Sequence, residues 1–281
     1  MDWLLEPFGF TFMQHALAAG ILTVVTTSLV GTWVVLRGMA FLGDAMAHGV
    51  IPGITLAFLL GLDLWIGAAF GAAVMVLGVD AVSRRVRLSE DTSIGLLFVG
   101  MLALGVLLIS ARGSYAGDLT AILFGDAIAV TASDVRGSLV AMVVTLALTA
   151  ALYRPFLTLS FSEDKAALLG MRPRATHLAM LTLVALAIVV SFRTVGTLLV
   201  FALLIAPPAT ASLIARRVPA MVGVAIALGS LAVVVGLLLS YHLGLAGAPA
   251  IAATAVAEFF VVLIGRGLLG PWTGSATVTA A

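Results

Sequence analysis

Cysteine is missing from all 281 residues, which excludes disulfides, iron–sulfur clusters and cysteine-ligated zinc. Lysine occurs once, as Lys165, and it follows Asp164 rather than the glycine that a Walker A motif requires. The chain therefore has no P-loop for ATP hydrolysis. Charge of either sign is scarce: 10% of residues are charged, against roughly 25% in an ordinary soluble domain. Fourteen basic and thirteen acidic side chains leave a net charge of +1, so the basic footprint of a nucleic-acid binder is missing too. In their place stand apolar and small residues, 62% hydrophobic with 29 glycines and a mean hydropathy of +1.24. Small residues in that number suit close helix packing in lipid. The chain reads as a polytopic membrane protein.

The first fourteen residues carry Asp2 and Glu6 but no Lys or Arg, so the basic n-region of a cleavable signal is missing and the mature chain is expected to begin here. A membrane-crossing helix needs about 20 mostly apolar residues. Such runs lie near 16–36, 45–62, 66–82, 93–110, 135–153, 176–192, 196–215, 220–240 and 251–265. The stretches 38–62 and 119–130 are ambiguous between full crossings and re-entrant elements, so eight crossings are expected and nine allowed. The runs are continuous, whereas barrel strands alternate over about ten residues. The fold expected is an all-α transmembrane bundle, one domain over 1–270, with a disordered tail at 271–281. Basic residues collect at Arg84, Arg85 and Arg87, at Arg154, Lys165, Arg172 and Arg174, and at Arg216 and Arg217. All three clusters fall on one side of this arrangement, which should be the cytoplasm.

Ionisable residues inside apolar spans are costly, and they are where function is sought. Asp44 and His48, four residues apart, share one helical face. A carboxylate and an imidazole so placed can meet one divalent ion, with manganese and zinc among the suitable metals. They can equally bond each other and hold the helix at a bend. Glu258 stands among apolar neighbours and is open to three roles: metal ligand, proton site or partner of Arg266. His15, His177 and His242 read as structural, and Asp80 as an ion-pair partner of the Arg84–Arg87 cluster. Asp118, Asp126 and Asp134 could draw cations or cap helices.

Pro207 and Pro208 each remove a backbone donor, so a kink or break is expected there. Broken helices often line transport paths. Gly43-Asp44 and Gly125-Asp126 together raise a different class, the intramembrane aspartyl proteases. Both lack the first glycine of that motif. Residues 161–170 read as a short helix outside the membrane. Ser162 caps it, Glu163 and Asp164 suit the positive end of the dipole, and Gly170 closes it.

Four stretches resemble one family. The most specific is 36–53, from Leu36-Arg37-Gly38 through Gly43-Asp44-Ala45-Met46-Ala47-His48 to Pro52-Gly53. The others are Asp118–Asp134, Val195–Ala211 and Ser240–Gly247, in the family's order. Together they resemble the permease subunits of bacterial zinc, manganese and iron ABC importers, the ABC-3 family. The resemblance implies a homodimer in the bacterial cytoplasmic membrane, with a separate cytoplasmic ATPase below and an extracytoplasmic metal-binding lipoprotein above. It implies that Asp44 and His48 meet the transported ion; Glu258, singled out by its apolar surroundings rather than by the resemblance, is a weaker candidate. It further implies that 161–170, with Glu163, Asp164, Lys165, Leu168 and Gly170, couple the permease to ATP bound on the partner. No permanent cofactor and no enzymatic activity of this chain are implied. Two departures stand out: Pro208, where a small residue is common, and His242–Ala246, without an acidic residue near Tyr241. The rival readings are an ion-gradient transporter or channel and the aspartyl protease.

Overall fold

A computed structural model describes residues 6–85, 89–110 and 130–269. Arg87, Asp118, Asp126, most of the 119–130 patch and the tail 271–281 lie outside the described residues. A 3-10 turn at Glu6–Gly9 is followed by α1 (Thr11–Leu36), α2 (Ala40–Gly49), α3 (Ile51–Leu60), α4 (Leu64–Arg85) and α5 (Glu90–Ser110). Then come α6 (Ala132–Ala151), α7 (Tyr153–Phe161), α8 (Glu163–Leu168), α9 (Pro173–Ile214), α10 (Val218–Leu243) and α11 (Gly247–Leu269). No strand occurs among the described residues, as an all-α bundle requires.

Among the described residues, eight helical segments are long and apolar enough to cross a membrane. The ambiguous 38–62 is one of them, because α2 and α3 run on from each other across Val50. The cause of that interruption is local. Pro52 has no N–H to close a turn on the His48 carbonyl, which accepts instead from Val50 N–H.

The runs expected at 176–192 and 196–215 are the two helical limbs of α9, whose 42 residues are interrupted at Gly196. A straight helix of that length would be about 63 Å long, twice the roughly 30 Å hydrocarbon core. The chain turns at Gly196 (φ 78°, ψ 163°), a conformation essentially restricted to glycine. At Pro207 and Pro208, where a kink or break is expected, the chain does not break: both prolines sit inside a backbone that keeps helical dihedrals. The missing donor of Pro208 frees the Leu204 carbonyl, and that oxygen packs against the backbone of Gly31 on α1.

Contacts between elements fix which ends lie together. Trp33 meets Tyr153 and Phe156 at 5.6 Å between ring centres, so the end of α1 adjoins α7. Val35, Leu36 and Ala215 pack on Ala211 and Met221, bringing the end of α9 and the start of α10 to the same place. At the other end, Phe10 meets Tyr241, and Leu62 to Trp65 share a cavity with Val189 and Phe192. The termini carrying Arg85, Arg154, Arg172 and Arg216 therefore gather on one face, and residues 10, 62 and 241 on the other. The second limb of α9 joins the two faces although it is shorter than the eight long segments.

Large apolar side chains point outward on α4, α5, α6 and α11, among them Ile66, Phe70, Leu107, Val140 and Val261. That inversion suits lipid as the solvent. Inside, small residues let backbones approach, most closely where a Cβ on Gly31 would overlap the Leu204 oxygen. Neither backbone can yield without moving its helix. Gly31→Ala is expected to cost about 1–3 kcal/mol through overpacking, read as a lower melting temperature of the detergent-purified protein. An unchanged melting curve would mean that the two helices are not in contact at this point.

Candidate metal-transit site

The site is built on α2. Its apolar neighbours seat the helix against the second limb of α9, where Gly43 leaves room for Leu204 and Phe201. Asp44 and His48 are held one turn apart, and each keeps about three tenths of its side chain exposed (29% and 30%). That residual exposure leaves the pair reachable by a small ion.

His48 Nδ1 stands 3.2 Å from Asp44 Oδ1 and 3.1 Å from the Asp44 carbonyl oxygen. Donation from Nδ1–H into these oxygens places the ring's lone pair on Nε2. A carboxylate that orients an imidazole in this way sharpens the other nitrogen as a ligand. Phe98 of α5 meets the His48 ring edge-on at 5.8 Å, and it in turn packs on Phe41 at 5.4 Å. The imidazole is thus fixed from two sides. In this arrangement Nε2 points away from Asp44, so the two side chains can meet one cation together only when the Nδ1–Asp44 contact opens.

Among the described residues no third His, Asp or Glu joins Asp44 and His48. Glu258 is not brought to them. It stays on α11, which packs against α9 and α10, and both of its carboxylate oxygens are buried without a hydrogen-bond partner. Pro207 and Pro208 lie on the α9 limb that also carries Leu204, the residue against Gly43. Of the three aspartates near the far face, Asp134 is described, and it caps α6. Asp134 Oδ2 accepts from Thr131 N at 3.0 Å, and Thr131 Oγ1 accepts from Asp134 N at 3.4 Å. His242 meets its neighbour Tyr241 edge to face.

The second feature is the element between α7 and α9. The short helix foreseen at 161–170 forms as α8, with Ser162 Oγ accepting from Lys165 N at 3.3 Å and Gly170 turning at φ 71°. Ala166 is buried beneath it, whereas Phe161, Leu168 and Leu169 are largely exposed. This apolar edge lies on the face that gathers the arginines, away from the spanning segments. Sequence reasoning missed Phe98, Trp33 and Arg37. Phe98 carries no local signal in an apolar run. Arg37 had one, as the first charge after a long span.

The ABC 3 transport family matches residues 9–266. The manganese transport system membrane protein MntC of Listeria monocytogenes is 34% identical over 255 residues, covering 91% of each chain. The chelated iron transport system membrane protein YfeD of Yersinia pestis is 36% identical, over 92% of this chain and 87% of that protein. Among solved structures, PsaBC from Streptococcus pneumoniae in complex with Fab superposes with a TM-score of 0.81 at 33% identity, covering 93% of this chain and 94% of that one.

Proposed function

Because the chain belongs to the ABC 3 transport family, we propose that it is the permease subunit of an ATP-driven importer for a divalent transition metal. Manganese and iron are the first candidates, from the systems in which its relatives are named; zinc stays within the same ligand chemistry. The observation that carries the reading is the likeness over nearly the whole chain to membrane proteins of metal transport systems, together with a carboxylate and an imidazole on one intramembrane helix face.

The arginine-bearing face is cytoplasmic, in the cytoplasmic membrane of a bacterium, and two copies of the chain enclose the path. A metal-binding lipoprotein delivers the ion at the opposite face. Asp44 and His48 hold it briefly through one oxygen and one nitrogen. Two protein ligands, with water completing the shell, bind weakly enough for release. ATP is hydrolysed on a separate subunit, because this chain's single lysine lies in no P-loop. The exposed edge of α8, with Glu163, Asp164, Lys165 and Leu168, seats against that subunit. Its movement swings the helices between outward-open and inward-open states.

Purification of the tagged protein from native membranes tests this. A P-loop ATPase is expected in equal amount, with a metal-binding lipoprotein found after cross-linking. Recovery without any ATPase, even after cross-linking, would contradict the importer and favour ion-gradient transport. A further result concerns the docking edge. Leu168→Asp is expected to reduce the co-purified ATPase by about tenfold, as removal of an apolar interface anchor does, while permease yield stays unchanged. Undiminished ATPase would place the contact elsewhere.

A further inference from the structure

The end of α1 touches the cytoplasmic element twice. Trp33, buried at 2% exposure, packs on Tyr153 and Phe156 of α7. One turn later, Arg37 reaches Glu163, the first residue of α8, at 3.8 Å. The Arg37 side chain is 10% exposed and Glu163 66%, so a held guanidinium faces a carboxylate at the surface.

The chain beyond Arg37 is stiff. Gly38 adopts φ 68°, its N–H bonds the Val35 carbonyl at 3.1 Å, and Met39 N–H bonds the Val34 carbonyl at 3.0 Å. These two bonds form a Schellman corner, and buried Met39 and Val34 supply its usual apolar contact. One residue later α2 begins, and Asp44 lies in its second turn. A displacement of α8 or α7 therefore has a short path of rigid parts: through Trp33 and Arg37 into the corner, and through the corner into the helix that holds Asp44 and His48.

We propose that Trp33 and Arg37 are positioning residues that relay movement of the ATPase-facing helices α7 and α8 to the metal-bearing helix α2. This rests on the importer reading above. The relay is mechanical and electrostatic, and neither residue touches the ion. Trp33 keeps the two helix ends in register. The Arg37–Glu163 pair makes the position of α2 depend on where α8 sits. The Glu163 end of the pair is two-thirds exposed and the separation is 3.8 Å, so the pairing itself contributes little to stability and its loss should appear in coupling before it appears in folding.

The test reconstitutes the permease with its co-purified ATPase and binding protein in proteoliposomes, with Mn2+ as the probe. Arg37→Gln and Arg37→Glu are expected to retain the ATPase and its basal hydrolysis. Both should lose about tenfold in Mn2+ uptake and in stimulation by the loaded binding protein, a coupling loss of ordinary size. Joining Arg37→Glu with Glu163→Arg should recover a large part of both. The relay is overturned if Arg37→Gln couples like the wild type, or if the charge swap stays as deficient as Arg37→Glu alone. A wild-type permease that binds no ATPase would overturn the importer reading and the relay with it.

Discussion

Manganese uptake is expected to fall to background when Asp44 or His48 is replaced by Ala, while the amount of permease in the membrane stays near that of the wild type. The geometry argues for both halves of this result. The two side chains keep exposure on one helix face and bond chiefly to each other, so removing either leaves no large cavity. Lost stability should be limited to about 1–3 kcal/mol for the abandoned partner. The effect on transit is different in kind. On the proposed reading, Asp44→Ala removes an oxygen ligand and also the partner of His48 Nδ1, and His48→Ala removes the nitrogen. Among the described residues no third His, Asp or Glu stands by to substitute. His48→Gln retains a polar atom of similar reach without the imidazole, and is expected to restore less than a tenth of the uptake, since ordered ligand chemistry is lost with the ring. Uptake at wild-type rate in Asp44→Ala or His48→Ala would remove the pair from the path.

The second large effect concerns the turn in α9. Gly196→Val should sharply reduce the permease recovered from membranes, because a β-branched residue is excluded from φ 78°, ψ 163° at a cost of about 1–3 kcal/mol or more. Loss of the turn would also force the two limbs of α9 out of the bundle. Pro207→Ala and Pro208→Ala, in contrast, should leave recovery and melting temperature nearly unchanged, since the backbone there is already helical. Ala at 208 even returns a donor to the Leu204 carbonyl. Melting curves of the three purified variants decide between the two positions. A large loss at the prolines with none at Gly196 would place the break at the prolines instead.

That contrast shows why the fold was legible in part. Run length and hydropathy located the spans, because in lipid a helix must satisfy its own backbone and needs a fixed length to cross. Asp44 and His48 were visible as two ionisable residues at helical spacing, and Ser162 and Gly170 as a cap and a stop. These are local rules read locally. The interruption of α9 was legible, since the runs at 176–192 and 196–215 were already separate, but the residue that makes the turn was not. Proline announces a missing donor, whereas Gly196 carries no signal that sets it apart among 29 glycines. Nor could spacing show that Arg37 meets Glu163, or that Phe98 fixes the His48 ring. Both are contacts between segments far apart in the chain.

The most direct test of the account is ATP-dependent uptake by the reconstituted complex. Proteoliposomes holding the permease and its co-purified ATPase are given the metal-loaded binding protein, and accumulation of radioactive manganese or iron is followed with and without ATP on the ATPase side. The account predicts accumulation against a gradient that requires ATP and vanishes with Asp44→Ala. Accumulation driven by an ion gradient without ATP, or ATP-driven transport indifferent to the loss of Asp44 and His48, would contradict it.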